Sequence, residues 1–416
     1  MSGPVNGNGT KPSAVKRLRT MSHQALVALG ARTHDRAFTG PLYVQVGVVN
    51  SCNYRCTFCW DQPSFVPKHA PYTDKISEEY YTQHPEIDRN KAHMDYDMFT
   101  GMVDDLHAMG TRKMKFIGRG ESFLHKRFME MVAYAKARDF IISITTNGAL
   151  IKDAEARRLV ELGVDEMYIS VNAGTAKTYN RIHMNTPPEA FGNVKRTIGM
   201  ITAAKREMGS HRPFINVSFV IQNDNYFEME DMVRTAHEVG AEKAHFIGIS
   251  TYEGTKFLAL NEEQKEDMPR CLERAVTLAD QYGIQTNAEY FLSRARGYKG
   301  TKDVYANVPC YIGWFFSIIL ADGTVNPCCE CLRALGTLKT HRFKEVWFGE
   351  AYRRFRAENT MLPFSEKEIP GCRCHDCGFA LHNLAMHRVL HPISSRQIKQ
   401  TTYGFDDLKR FTSATH

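Results

Sequence analysis

The chain has 416 residues, of which 43% are hydrophobic and 24% are charged. These proportions are typical of a folded globular protein and exclude a disordered or fibrous one. No apolar run approaches the ~18 residues of a membrane helix, and no apolar stretch follows the basic N-terminus. We therefore expect no membrane partner, no secretory signal and a cytoplasmic location.

The net charge of +7 would suit an anionic substrate. A basic balance alone does not indicate a nucleic-acid partner, because many soluble proteins are moderately basic. No basic helix in the sequence is interleaved with aromatic residues, so we expect no nucleic acid to bind.

Apolar, β-branched runs alternate with helical patterns after residue 40. The predicted strands are 42–49, 113–117, 140–146, 166–172, 214–221 and 243–249. The helical patterns include 97–109, 125–137, 152–162, 188–208 and 226–239. This alternation predicts an α/β fold of βαβ units around a parallel sheet. Six such units form an open, partial (β/α)6 barrel rather than the closed barrel of eight.

The 11 cysteines fall into groups. Three lie together near the N-terminus, Cys271 stands alone, and seven lie near the C-terminus: Cys310, Cys328, Cys329, Cys331, Cys372, Cys374 and Cys377. An odd number in a cytosolic protein argues against a disulfide framework and favours metal ligation. Soft thiolates in close groups select zinc, copper or iron–sulfur centres.

The N-terminal group consists of Cys52, Cys56 and Cys59, directly after the first predicted strand. In α/β sheets, ligands bind beyond the carboxyl ends of the strands, which places these thiols at the rim. A [4Fe–4S] cluster takes four cysteine ligands, so three would leave one iron open for another molecule. The alternative is a zinc site completed by a distant residue such as His69.

The spacing Cys-x3-Cys-x2-Cys, with Phe58 before the last cysteine, resembles the cluster loop of the radical SAM superfamily. The resemblance extends over roughly residues 41–250. It implies a [4Fe–4S] cluster on the three cysteines and S-adenosylmethionine (SAM) chelated by the open iron. Reductive cleavage of SAM then gives a 5′-deoxyadenosyl radical, with a flavodoxin or ferredoxin-type protein as the reductant.

Further motifs follow the later strands. The segment 118–122, Gly-Arg-Gly-Glu-Ser, resembles the Gly-Gly-Glu-Pro motif of the family, with Arg119 interrupting the glycines and Ser122 replacing the proline. The resemblance implies cofactor contacts from Phe58, Gly118, Gly120, Glu121, Ser170, Asn172, Arg181 and Ile221. From the residues alone, the segment 118–122 could equally be an ordinary turn, Arg181 a solvated helix arginine and Ile221 a core residue.

A second cysteine site is predicted near the C-terminus. A hairpin over 314–326 would bring Cys310 and Cys328 together, and Cys374 and Cys377 form a Cys-x2-Cys pair. The arrangement resembles the twitch domain, the shortened form of the SPASM domain, and implies at least one auxiliary [4Fe–4S] cluster on these four residues. A zinc site remains the alternative, and the remaining cysteines leave a second auxiliary cluster open.

The predicted organisation has five parts. These are a tail or peripheral segment at 1–40, a radical SAM core at 41–255, a connecting helical segment at 256–304, a small α+β SPASM/twitch domain at 305–385 and an extension at 386–416. Residues 61–95 form a long polar insertion with aromatic residues, which we predict to cover the active site as a lid.

The predicted function is oxidation of a secondary alcohol in a polar, carbohydrate-like small molecule, such as a sugar or aminocyclitol of antibiotic biosynthesis. One alternative is a radical epimerase in which Cys271, Cys329 or Cys331 donates hydrogen, although Cys271 also fits a core position. Others are an enzyme that modifies ribosomal peptides and an iron–sulfur electron carrier without catalysis.

Overall fold

The computed structural model describes residues 14–59, 93–249, 255–295, 302–305, 307–329, 333–364 and 377–392, with Cys331 and Cys372 in addition. Most of the predicted lid, Cys374 and the chain beyond residue 392 lie outside the described residues. No helix in the described part of the chain is both long and apolar enough to span a bilayer.

The described strands follow the predicted order closely. They are β1 (Tyr43–Val46), β2 (Arg55–Cys56), β3 (Lys113–Phe116), β4 (Ile141–Thr146), β5 (Glu166–Ser170), β6 (His183–Met184), β7 (Phe214–Ile221), β8 (Lys243–Gly248), β9 (Gln285–Thr286), β10 (Phe316–Ile319), β11 (Thr324–Asn326) and β12 (Gly336–Thr337). The six predicted barrel strands correspond to β1, β3, β4, β5, β7 and β8.

The described helices include those predicted between the strands. They are α1 (Ala14–Arg32), α2 (Tyr96–Ala108), α3 (Phe128–Lys136), α4 (Asp153–Glu161), α5 (Ala176–Ile182), α6 (Ala190–Glu207), α7 (Met229–Glu238), α8 (Glu262–Tyr282), α9 (Ala288–Ala295), α10 (Lys302–Tyr305), α11 (Ile312–Phe315), α12 (Phe343–Phe348), α13 (Glu350–Thr360) and α14 (Ala380–Leu390).

One ten-stranded sheet has the order β12-β11-β10-β1-β3-β4-β5-β7-β8-β9. The six barrel strands are parallel to their neighbours, which confirms the predicted α/β fold and partial barrel. The C-terminal hairpin also joins this sheet, because β10 pairs in parallel with β1 and in antiparallel with β11. The predicted second cysteine region is therefore fixed directly to the edge of the barrel.

The N-terminal segment, expected to be a tail or peripheral packing, forms α1 from Ala14 onward. Val27 and Ala31 on this helix are buried. The indole of Trp314 donates a hydrogen bond to the Arg36 carbonyl at 2.7 Å. The segment thus packs against α11 in the C-terminal part of the chain.

The two faces of the barrel strands differ in chemistry. Residues such as Met114, Ile144 and Ile169 are buried in the hydrophobic core. Positions of the opposite parity carry mostly polar side chains, including Lys115 and Tyr168. Since successive side chains of a strand alternate between faces, the sheet has an apolar outer face beneath the helices and a polar inner face. Strands of parallel sheets are usually apolar on both faces, so the polar inner face is a departure.

Candidate functional site: the cysteine loop and the inner face of the barrel

The cysteine loop is attached to the barrel by a short two-stranded ladder. Strand β2 pairs in antiparallel with β6, so that Cys56 lies opposite His183. The backbone N–H of Thr57 donates to the Ile182 carbonyl at 2.9 Å. The ladder holds the second of the three cysteines against the chain that follows β5.

His183 joins this loop to the interior. Its Nδ1 lies 3.0 Å from Cys56 Sγ, and its Nε2 lies 3.1 Å from the Val171 carbonyl oxygen. Burial lowers the pKa of His183 to about 4, so the ring is neutral near pH 7. Because a carbonyl only accepts, Nε2 donates to Val171 and Nδ1 faces the sulfur. His183 is not among the residues predicted from the sequence, because a single buried histidine forms no recognisable pattern.

The three thiols of the loop suit a soft metal centre. Burial raises the pKa of Cys56 well above its ordinary value, and the neighbouring Cys59 and Cys52 raise it further. Ionising these thiols together is unfavourable without a nearby cation, and an iron–sulfur core supplies that charge. The described residues hold no preformed group of three His, Cys, Asp or Glu ligands. The fit of an iron–sulfur cluster to this loop therefore rests on the chemistry of its three thiols.

The glycine-containing turn after β3 packs directly on the cysteine loop. A Cβ at Gly120 would collide with the Ser51 carbonyl, and one at Gly118 would collide with the Gly47 backbone. The Glu121 backbone N–H donates to the Ser51 carbonyl at 3.0 Å. Glycine is required at these positions by close approach of two backbones, and Arg119 between them does not prevent it.

Glu121 lies buried beneath the loop and connects the ends of β3 and β4. Its carboxylate accepts hydrogen bonds from the Thr146 hydroxyl at 2.8 Å and from the Asn147 backbone N–H at 2.8 Å. Burial raises its pKa, and these hydrogen bonds oppose that rise. The side-chain Nδ2 of Asn147 donates a hydrogen bond to Asn53 Oδ1 in the cysteine loop at 2.8 Å. The carboxylate therefore holds the rim together.

The turn after β5 is shaped by Asn172, which has a positive φ of 59°. Its side-chain Oδ1 accepts from the Val220 N–H at 2.9 Å. Asn225 Nδ2 donates to the Asn172 carbonyl at 2.9 Å. The Asn172 side chain is thus occupied in joining β5 to β7. Ser170 is half-buried on the inner face beside it, and Ile221 is buried at the end of β7.

The other two residues implied by the resemblance lie near the rim. Arg181 is exposed on α5 and donates to the Asp224 carbonyl at 2.6 Å. The ring of Phe58 meets His183 edge-on, with centroids 5.9 Å apart. All eight of the implied cofactor residues therefore lie in or beside the segments at the carboxyl ends of the strands.

The C-terminal cysteines are partly brought together. The Tyr305 hydroxyl donates a hydrogen bond to Cys377 Sγ at 3.2 Å. Burial raises the pKa of Tyr305, and the nearby Cys310 and Cys377 raise it further. Cys310, Cys328 and Cys377 are all buried. Thiols in this region fit an iron–sulfur core in the same way as the loop thiols. The predicted fourth ligand, Cys374, lies outside the described residues.

Two cysteines depart from the sequence prediction. Cys331 and Cys372 form a disulfide, although the odd cysteine count argued against disulfides. The bridge cannot be inferred from spacing, because it joins residues 41 positions apart. Cys331 in this bridge has no thiol hydrogen, so its role as a hydrogen donor would require the reduced form and stays a prediction.

The other two candidate hydrogen donors lie in different places. Cys271 is buried on α8, where its Sγ contacts Asp267 and Arg274 of the same helix. Cys329 lies at the barrel edge, close enough to Lys115 and Tyr43 for its charge to raise the pKa of both. Of the three candidates, Cys329 is the one beside the inner face.

A chain of polar contacts crosses the inner face. Lys115 Nζ lies 3.8 Å from the centroid of the Tyr168 ring, and that ring meets His245 edge-on at 5.4 Å. The Tyr168 hydroxyl and the Ser143 hydroxyl donate to Glu166 Oε2 at 3.2 Å and 3.1 Å. These residues are not among those predicted from the sequence. The signal was present as polar residues at alternate positions of predicted parallel strands.

Two family models match the chain at the positions of these two sites. The model of the radical SAM superfamily matches residues 46–242, and that of an iron–sulfur cluster-binding domain, SPASM, matches residues 310–378. The first begins at the last residue of β1, contains the cysteine loop and the barrel strands β3, β4, β5 and β7, and ends one residue before β8. The second runs from Cys310 to one residue past Cys377.

Curated relatives cover most of the chain at low identity. The tungsten-containing aldehyde ferredoxin oxidoreductase cofactor-modifying protein of Pyrococcus furiosus is 25% identical over 362 residues, which are 80% of this chain and 86% of that protein. The PqqA peptide cyclase of Gluconobacter oxydans is 22% identical over 316 residues, 72% of this chain and 82% of that one.

A solved structure supports the fold. Streptococcus suis SuiB bound to S-adenosylmethionine has a TM-score of 0.57 and 14% identity, covering 84% of this chain and 75% of that chain. The domain models, the parallel partial barrel and the cysteine chemistry agree. The chain belongs to the radical SAM superfamily, as an enzyme that uses a [4Fe–4S] cluster, S-adenosylmethionine and auxiliary iron–sulfur binding in a C-terminal SPASM domain.

Proposed function

We propose that this radical SAM enzyme oxidises a secondary alcohol of a polar, hydroxyl-rich small molecule of the sugar or aminocyclitol kind. The observation that carries the proposal is a set of buried polar atoms on the inner face. Thr145 Oγ1, Ser218 Oγ and His245 Nδ1 have no hydrogen-bond partner within the described part of the chain.

Unpaired buried polar atoms are expensive, at about 1–3 kcal/mol each. Ser218 pairs in register with His245 on the neighbouring strand, so these two side chains are adjacent on one face. Thr145 is in register with Tyr168, which contacts His245. Two hydroxyls and an imidazole nitrogen on one face are suited to binding the hydroxyl groups of a substrate.

When bound, the N-terminal cluster and SAM supply a 5′-deoxyadenosyl radical that abstracts hydrogen, and an auxiliary cluster supplies an acceptor for one electron. The chain itself orients the substrate beneath the cysteine loop. Burial, with Lys243 and Lys115 nearby, lowers the pKa of His245 to about 3, so its imidazole is neutral. Nδ1 can then accept a hydrogen bond, and in turn the proton, from the reacting hydroxyl.

A second candidate is epimerisation with Cys329 as the hydrogen donor. The position of Cys329 beside Lys115 at the edge of the inner face favours epimerisation.

The relatives divide on substrate class, because one is named for modifying a cofactor and the other for cyclising a peptide. We propose the small molecule on the polarity of the inner face, and a flavodoxin or ferredoxin-type protein as the electron donor.

The test is a reaction of the anaerobically reconstituted enzyme with SAM, dithionite and a panel of sugars and aminocyclitols. We expect 5′-deoxyadenosine together with a product lighter by two hydrogens. Deuterium incorporation from D2O without a mass loss of that kind would replace oxidation by epimerisation. Formation of 5′-deoxyadenosine that no polyol stimulates would overturn the proposed substrate class. Cys52→Ala is the control for cluster-dependent turnover.

A further inference from the structure

The inner face carries more positive than negative charge. Lys113 and Lys115 lie at alternate positions of β3, and Lys243 lies two residues before His245 on β8. Among the barrel-strand residues of this face, Glu166 is the one carboxylate. With His245 neutral, the face has an excess of two positive charges.

Glu166 does not neutralise Lys115 by direct contact. Its carboxylate accepts from the Ser143 and Tyr168 hydroxyls. Lys115 instead lies over the Tyr168 ring, and no ion pair to it is found in the described residues. A largely buried ammonium without a contacting carboxylate is unfavourable unless another anion approaches it.

Lys115 and Lys243 converge on the same place. Lys115 Nζ lies over the Tyr168 ring, which meets the His245 ring edge-on, and Lys243 lies on the same face of β8 two residues before His245. Both ammonium groups also lower the pKa of His245. Burial lowers the pKa of Lys115 to about 8, which Glu166 and Cys329 only partly oppose. An anion placed between the two lysines would stabilise their charged forms and would leave His245 Nδ1 to the reacting hydroxyl.

We propose that an anionic oxygen group of the substrate, a phosphate or a carboxylate, binds on the inner face between Lys115 and Lys243. This inference rests on the proposed function, because it assigns a substrate class to the same site. The anion holds one end of the molecule deep in the barrel, while the hydroxyl-bearing part lies near Thr145 and Ser218, closer to the cysteine loop.

The test compares three probes on one sugar scaffold: glucose 6-phosphate, gluconate and neutral glucose. Calorimetry measures their binding to the reconstituted, SAM-loaded enzyme. We expect at least one anionic probe to bind about tenfold more tightly than glucose, and its affinity to fall with added salt. The phosphate and carboxylate arms identify which of the two groups the site takes.

Lys115→Met and Lys243→Met are each expected to weaken the anionic probe by about tenfold without changing glucose binding. Lys195→Met is the matched control, since Lys195 pairs with Glu238 on the outside of the barrel. Iron content and melting temperature establish that each variant is folded. Equal binding of glucose and both anions, or unchanged anion binding in both variants, would overturn the inference.

SAM cleavage under dithionite is measured on the same samples. An enzyme that forms 5′-deoxyadenosine but does not prefer anionic probes refutes the anion site alone. An enzyme that binds the anionic probe but forms no 5′-deoxyadenosine refutes the proposed reaction and leaves the binding site standing.

Discussion

His183 Nδ1 lies 3.0 Å from Cys56 Sγ, across the short ladder that anchors the cysteine loop. The other ring nitrogen is held by the Val171 carbonyl, which fixes the orientation of the imidazole. Groups that hold a ligand residue in place affect a metal site almost as strongly as the ligands themselves. His183 therefore connects the cluster loop to the end of β5.

Replacing His183 with alanine is expected to loosen this connection. The change leaves the Val171 carbonyl unpaired at a cost of about 1–3 kcal/mol and removes the group beside Cys56. We expect lower iron retention and an altered electron paramagnetic resonance spectrum of the reduced cluster. His237→Ala on α7, where the ring stacks on Tyr282, is the control. A spectrum identical to the wild type would show that His183 only fills space.

Gly120→Ala tests the contact between the glycine turn and the cysteine loop. The added Cβ would collide with the Ser51 carbonyl, which is backbone and cannot rotate away. We expect loss of SAM cleavage by a factor of about one hundred or more, because the loop that holds Cys52 must move. Gly199→Ala on α6 has open space around the new methyl group and should keep full activity and gain slight stability.

Measurements of iron content and SAM cleavage should distinguish the two cysteine sites. Alanine at Cys52, Cys56 or Cys59 is expected to abolish SAM cleavage. Cys377→Ala and Cys374→Ala are expected to remove about four irons per chain while SAM cleavage continues, since such clusters contain four irons. Retained SAM cleavage in the first group, or an unchanged iron content in the second, would contradict the ligand assignment.

The disulfide between Cys331 and Cys372 predicts a different result for those positions. Cys331→Ala should leave the iron content unchanged and release one additional free thiol from Cys372 in a thiol titration under denaturing, non-reducing conditions. The measurement distinguishes the bridge from a second auxiliary cluster. If these cysteines ligated a second auxiliary cluster instead, the same substitution would lower the iron content by about four irons per chain.

Lys115→Met is expected to stabilise the protein at pH 7. The pKa of Lys115 is lowered to about 8 by burial, so the folded state holds the charged form less favourably than the unfolded state. We expect a gain of about 1–3 kcal/mol in the free energy of unfolding, seen as a higher melting temperature.

The pH dependence of that gain gives a second check. Below about pH 8 the lysine is charged in both states and the full cost of burying it applies. Between about 8 and its ordinary pKa of 10.5, the unfolded state binds more protons, so wild-type stability rises relative to Lys115→Met. A difference between the two proteins that does not shrink over this window would mean that the lysine is not buried as an ammonium.

The family, the fold and the cluster chemistry were set out by local patterns in the sequence. The spacing of three cysteines within eight residues, Cys52 to Cys59, indicates a cluster site. Apolar runs between segments of helical periodicity indicate the barrel strands. Such features depend on neighbours along the chain. For that reason the predicted strand 214–221 agrees with β7 at both ends.

The placement of the C-terminal hairpin and the chemistry of the inner face required the tertiary structure. The pairing of β10 with β1 joins segments far apart in sequence, and nothing local specifies that edge. Likewise, Lys115, Tyr168 and His245 come from three different strands, and only the assembly of these strands into one sheet brings them into contact. Spacing in a sequence specifies ligands within one loop, whereas a binding surface made from many strands exists only after the chain has folded.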